Sequence, residues 1–135
     1  MSATNATAAD LTNAPVAQIA IRVHDVDRAA AFYKDRLGIP FLFQFPGLAF
    51  FQSGQIRLML SGAEQPEHDH PSSPIYFKVA SINEVYATLQ DRGVQFIDQP
   101  HLIHRAPNYE LWMTFFKDSE DNTLALMEER PLQGS

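Results

Sequence analysis

The stretch RVHDVDRAAAFYKDRLGIPF, Arg22 to Phe41, has a relative in KVASINEVYATLQDRGVQF, which begins at Lys78. An internal repeat within 135 residues restricts the fold more than any single motif, because both halves must then be built from the same supersecondary unit. Setting Ile19 against Ile75 pairs Arg22 with Lys78, Val23 with Val79, Val26 with Ile82, Ala31 with Ala87, Asp35 with Asp91 and Arg36 with Arg92. After one inserted residue, Gly38 meets Gly93. Asp25 and Ser81 share an N-cap slot, and Ser81 with Glu84 makes an S-x-x-E capping box. Ile82, Val85, Tyr86 and Leu89 then recur at i, i+3, i+4 and i+7, the spacing of an apolar helix face. The two glycines suit the left-handed residue that closes a helix.

Before each helix the chain alternates and is rich in β-branched or aromatic residues, over Val16–His24 and Ile75–Ala80, as strands are. After the first helix three strands are expected near Pro40–Phe45, Leu48–Gln52 and Gln55–Leu60, separated by Pro46-Gly47 and Ser53-Gly54 turns. The second half continues with a strand at Val94–Ile97, an irregular segment from Asp98 to Asn108, then strands at Tyr109–Lys117 and Thr123–Glu128 joined by a DSEDN turn. The order is βαβββ twice, an α+β fold. We expect a disordered leader over 1–14 and a single domain over 15–130, with module one at 15–61, a polar linker at 62–73, module two at 74–130 and a tail at 131–135.

Mass and balance bound the function. A 15.2 kDa chain with 45% hydrophobic residues suits one core, and a net charge of −6 argues against a non-specific nucleic-acid or anionic-membrane binder. Without cysteine there is neither a disulfide framework nor thiolate chemistry, and no secretory signal or long apolar span is evident. A cytoplasmic protein with a small-molecule partner is the expectation.

With its βαβββ repeat, and the phrases AAAFYKDRLGIPF, AFFQSGQIRLMLS and ELWMTFFKDSEDNTLALMEE, the chain resembles the vicinal oxygen chelate superfamily, the glyoxalase, bleomycin-resistance and extradiol-dioxygenase relatives, over about Val16 to Arg130. The resemblance implies that the sheets of both modules roll into a cup with helices outside and the site inside. It also implies a homodimer, since such cups are completed or covered by pairing.

Strand parity assigns the faces. Ile19, Ile21 and Val23 should pack under helix, as should Ile75, Phe77 and Val79, and Ile56, Leu58 and Leu60; Gln18, Ala20, Arg22 and His24, with Tyr76, Lys78, Arg57 and Met59, then face the cup. In the last strand Thr123, Ala125 and Met127 face in. Family metal sites take one inward donor from each of four strands, and the matching positions here are Gln18, Met59, Pro74 and Ala125, of which only Gln18 can ligate a hard divalent ion. No metal and no cofactor are therefore expected. Two other histidine groups read differently. EHDH, Glu67 to His70, sits in the polar linker and reads as solvated, whereas His101 and His104 flank the irregular segment and can reach a ligand from a flap.

The expected ligand-binding set is Gln18, Arg22, Arg57, Met59, Tyr76, Lys78, His101 and Trp112, with phenylalanines among Phe41, Phe43, Phe45 and Phe50. Inward cations ask for an anion. By the resemblance, Arg22 and Lys78, the repeat-related pair, hold part of it. The reading is a metal-free cup for an anionic or aromatic small molecule, bleomycin-resistance-like; the alternative is a lyase, isomerase or dioxygenase-like enzyme with an atypical or absent metal site. No catalytic residue is identifiable, because no nucleophile with a paired base stands out.

Overall fold

The computed structural model describes residues 10, 12–13, 15–62 and 72–132; most of the expected leader, the linker with Glu67 to His70, and the end of the tail lie outside the described residues. Module one runs β1 (Gln18–Val23), α1 (Val26–Ala31) continued by a π-helical turn (Phe32–Arg36), β2 (Phe41–Phe45), β3 (Leu48–Ser53) and β4 (Ile56–Gly62). Module two runs β5 (Ile75–Lys78), α2 (Ile82–Asp91), β6 (His101–Arg105), β7 (Tyr109–Lys117) and β8 (Thr123–Pro131). Each module is a four-stranded mixed sheet, ordered β1-β4-β3-β2 and β5-β8-β7-β6, with the first strand parallel to the last. The registers repeat as the sequence does: Ala20 lies opposite Met59 in one sheet, and its equivalent Tyr76 opposite Ala125 in the other.

Both helices start where the capping residues stand. The Asp25 carboxylate accepts from the Arg28 amide at 3.0 Å, and the Ser81 hydroxyl accepts from the Glu84 amide at 3.4 Å. Gly38 and Gly93 close them with φ of 74° and 87°. The first helix departs from the α-helix expected up to its glycine. The Leu37 amide reaches back five residues to the Phe32 carbonyl, widening the last turn.

Module two differs from expectation in its second strand. Val94–Ile97 is not a strand: only Phe96 forms a bridge, to Phe116, although the Ile97 amide still donates to the Phe115 carbonyl at 2.8 Å. The Asp98 carboxylate then ends the ladder, because its Oδ1 takes the Phe115 amide at 2.8 Å and the Thr114 hydroxyl at 2.7 Å, where a continuing strand would offer a carbonyl. Pro100 has no amide to give. The chain rejoins the sheet as β6, inside the segment expected to be irregular, with a bulge between Leu102 and His104 that mirrors the one between Phe41 and Phe43 in β2.

The helix-side faces of both sheets supply one core. Ile21, Phe51, Leu58 and Leu60 from module one and Phe116, Leu124 and Leu126 from module two are all buried within it. Burying each such side chain contributes about 1.5–3 kcal/mol. The junction is pinned by the DSEDN turn of module two, whose Asp118, Glu120 and Asn122 are buried polar groups. Asp118 accepts the phenol of Tyr33 at 2.8 Å, and the Asn122 side-chain amide donates to the Arg22 carbonyl at 2.7 Å. Glu120 takes the His24 and Asp25 amides at 2.8 and 3.0 Å and the Arg28 guanidinium at 2.7 Å. The repeat also crosses itself: a Cβ on Gly93 would meet Arg36 at 3.2 Å, and one on Gly38 would meet Arg92, the repeat counterpart of Arg36, at 3.4 Å. Among the described residues no helix is long and apolar enough to cross a membrane.

Candidate functional site

The registers fix which side chains share the cup face, the one opposite the helices. In module one Gln18, Ala20 and Arg22 of β1 lie beside Arg57, Met59 and Ser61 of β4. Next to them come Phe50 and Gln52 of β3, then Phe43 and Phe45 of β2. Phe41 is not among them. It pairs with Phe51 on the helix side, their rings 5.4 Å apart, because the β2 bulge reverses its parity. In module two Tyr76 and Lys78 lie beside Ala125 and Met127. β6 adds His101 opposite Met113 and, past its bulge, His104 opposite Leu111. His104, read as a loop residue beside a flap, is thus a strand residue on the cup face, a placement that sequence parity misses once a bulge intervenes.

Trp112 is a correction. It pairs with Glu128 and packs against the core on the helix side, its indole donates to Glu110 at 3.1 Å, and the Arg130 guanidinium stacks 4.6 Å from the ring centre. Its phase follows Thr114 and Phe116, both buried, and that phase was readable in β7. The remaining expected residues, Gln18, Arg22, Arg57, Met59, Tyr76, Lys78 and His101, fall on cup faces, the first four on one sheet and the last three on the other.

The cations differ in how they are satisfied. Arg22 Nη1 donates to the Glu120 carbonyl at 3.2 Å, and Lys78 pairs with Glu129 at 3.3 Å. Arg57 has no acidic partner among the described residues; its guanidinium lies 6.0 Å from the ring centre of Phe50. Gln18, Arg57, Ala17, Gln52 and Gln55 line a cavity of about 300 Å³ at the edge of this face. Tyr76 meets Phe115 edge-on at 5.9 Å, and His101 Nδ1 lies 2.7 Å from the Gln99 carbonyl. Within one chain much of this surface is open: Phe43, Phe45 and Tyr76 are 41%, 55% and 47% exposed.

The four positions matched to metal donors carry a different chemistry. The Gln18 amide nitrogen points at the Met59 sulfur, 3.8 Å away, Ala125 is buried, and Pro74 precedes β5. One amide oxygen, one thioether and two side chains without donors do not fit a divalent ion. Among the described residues no group of three or more His, Cys, Asp or Glu side chains is placed to hold one.

The family model described as the Glyoxalase/Bleomycin resistance protein/Dioxygenase superfamily matches residues 16–126. No curated protein matches the chain. Among solved structures, a member of the glyoxalase/bleomycin resistance protein/dioxygenase superfamily from Sphaerobacter thermophilus is similar at 26% identity and a TM-score of 0.72, with 86% of this chain and 98% of that one covered. A lactoylglutathione lyase from Agrobacterium tumefaciens is similar at 23% identity and a TM-score of 0.67, covering 87% and 95%. A glyoxalase/bleomycin resistance protein/dioxygenase from Nocardioides, at 18% identity and a TM-score of 0.69, covers 99% and 94%.

Proposed function

Because the chain belongs to the glyoxalase, bleomycin resistance protein and dioxygenase superfamily, we propose that it is a cytoplasmic binding protein that holds a small anionic or aromatic molecule on its cup faces without a metal. The observation that carries this reading is the donor set: Gln18, Met59, Pro74 and Ala125 stand where the superfamily's metal ligands are expected, and only one of them is a hard donor. A metal that polarises substrate oxygens would find one protein donor at these positions, Gln18, where three are usual. The enzyme alternative has a likeness in fold to the lactoylglutathione lyase on its side and this donor set against it.

A second copy of the chain is part of the reading. The edge strands β2 and β6 are exposed along their whole length, and large apolar side chains outside the ring cluster of the cup lie open on both, Phe41 and Leu42 on one and Leu102 and Ile103 on the other. Exposed apolar edges of this kind favour pairing. Light scattering at micromolar concentration that returned only the 15.2 kDa monomer would refute the dimer.

The metal-free cup is tested by elemental analysis after brief dialysis without chelator. Well below one Zn, Ni, Mn or Fe per chain is expected, with a melting temperature unchanged by EDTA. Near-stoichiometric metal, lost together with stability on chelation, would return the reading to a metal-dependent enzyme. The triple change Met59→Glu, Pro74→His, Ala125→Glu should conversely create metal-dependent stabilisation.

A further inference from the structure

We propose that the cup face of module one is a binding surface for an aromatic carboxylate, with Arg57 as the anchor of the carboxylate and Phe43, Phe45 and Phe50 as the platform for the ring. This rests on the reading of the cup as a ligand site and narrows it to one module and one ligand class.

The charge distribution comes first. No cup-side position of β1 to β4 carries Asp or Glu, in a chain whose net charge is −6, so this face is a cationic island on an acidic protein. Its cations are unequal. Arg22 donates to the Glu120 carbonyl of the module junction, and the corresponding cation of module two, Lys78, is paired on the surface with Glu129. Arg57 alone of the three has neither an acidic nor a carbonyl partner among the described residues. Beside it Gln18, Gln52 and Gln55 line the same cavity; Gln52 gives one amide hydrogen to the Gly54 carbonyl at 2.7 Å and Gln18 directs one to the Met59 sulfur, and the second hydrogen of each is a donor suited to a carboxylate.

The platform adjoins that cavity. Phe50 touches both neighbours, with ring centres 4.8 Å from Phe43 and 6.3 Å from Phe45, and Phe43 and Phe45 are 5.4 Å apart. Three rings in mutual contact, two of them substantially open to solvent, form an apolar patch whose covering is favourable. Arg57 leans towards Phe50 from the side of the cavity, and Gln52 lies two residues beyond Phe50 on the same strand face. A ligand ring lying on the open faces of Phe43 and Phe45, against the buried Phe50, therefore points a directly attached carboxylate towards the guanidinium. An aliphatic acid would leave the platform bare, and a neutral aromatic would leave Arg57 unanswered.

The test uses 2-naphthoate and its neutral counterpart 2-naphthamide, titrated by calorimetry into the full-length protein and into Arg57→Gln, Phe45→Ala, Arg22→Ala and Lys78→Ala. Arg57 and Phe45 are exposed, so these variants should fold, which melting curves verify. Wild type should prefer naphthoate, Arg57→Gln should lose roughly tenfold in affinity for it while leaving naphthamide little changed, and Phe45→Ala should weaken both probes. A preference for naphthoate that survives Arg57→Gln but falls in Arg22→Ala or Lys78→Ala would overturn the inference and leave the cup as a site for anions. Equal or tighter binding of naphthamide would also overturn it and leave an aromatic site without an anion anchor. If the wild-type protein bound neither probe, the inference and the reading beneath it would both fail for this ligand class.

Discussion

Removing the carboxylate of Glu120 should unfasten module one from module two, and the structure sets the size of the effect. The side chain is fully shielded from solvent, and its two oxygens accept from the amides of His24 and Asp25, from Arg28 Nε and Nη2, and from the Ser119 hydroxyl. Burial alone would push this carboxyl up; the hydrogen bonds from Arg28, Ser119, Asp25 and His24 outweigh it and bring the pKa from 4.5 down to about 2. A depressed carboxyl contributes stability that is fully present above its unfolded pKa and is lost as pH falls through the folded one. The difference corresponds to about 3 kcal/mol, present at pH 6 and above and lost between about pH 5 and pH 2. Glu120→Gln keeps the shape but faces Arg28 with an amide donor, and Arg28, whose side chain is 56% exposed, can turn out to water. Urea denaturation from neutral to acidic pH should show Glu120→Gln less stable than wild type by about 3 kcal/mol at pH 7, with the gap closing as pH approaches 2. A variant within about 0.5 kcal/mol of wild type at pH 7, or a gap that does not shrink with acid, would refute the reasoning.

Tyr33→Phe should cost about 1–3 kcal/mol in the same assay, because it removes the buried donor to Asp118. Burial, then the Asp118 charge, holds the Tyr33 phenol well above its ordinary pKa, so alkaline difference spectra should show one tyrosine that ionises only as the fold opens, and stability should fall as pH climbs past the unfolded value. Gly93→Ala forces a Cβ onto a residue at φ 87° and should cost about 1–2 kcal/mol; Arg36 can give way, so Gly47→Ala, at φ 83° in open space, should lose a similar amount by thermal melting. Asp98→Ala strips the Phe115 amide of its partner and the Thr114 hydroxyl of one of two acceptors, the Asp98 carbonyl at 3.0 Å remaining, and should destabilise the fold by about 1–3 kcal/mol, with hydrogen exchange quickening first in β6 and the middle of β7.

The repeat carried the architecture because its signals are local. Asp25 and Ser81 cap helices from within four residues, the glycines close them at once, and Tyr109–Lys117 is a strand by its own alternation and aromatic content. What sequence parity missed is what depends on a partner or on a change of phase. The bulges in β2 and β6 turn Phe41 to the helix side, against Phe51, and His104 towards the cup, and nothing in FLFQF or HLIHR marks the extra residue. β6 itself was hidden because its histidines and arginine read as loop and because Asp98 and Pro100 break the run before it. DSEDN read as a turn, which it is, yet a turn gives no sign that three of its side chains reach into the other module. Trp112 was a matter of weighting: its phase with Thr114 and Phe116 put it on the core side, and its chemistry suggested a ligand.

The contacts of Glu120 also bear on the order in which the chain can be finished as it is made. His24 and Asp25, at the start of the first helix, wait for a carboxylate 96 and 95 positions further on, and the Arg22 carbonyl waits for an amide 100 positions away. A ribosome delivers residues from the N-terminus at a finite pace, so β1 and α1 are exposed long before these partners emerge. The first-made half is thus the last to be completed. Contacts spanning so much of the chain also slow the closing step, and during that interval the open apolar edge of β2 is the part of the nascent chain most in need of protection.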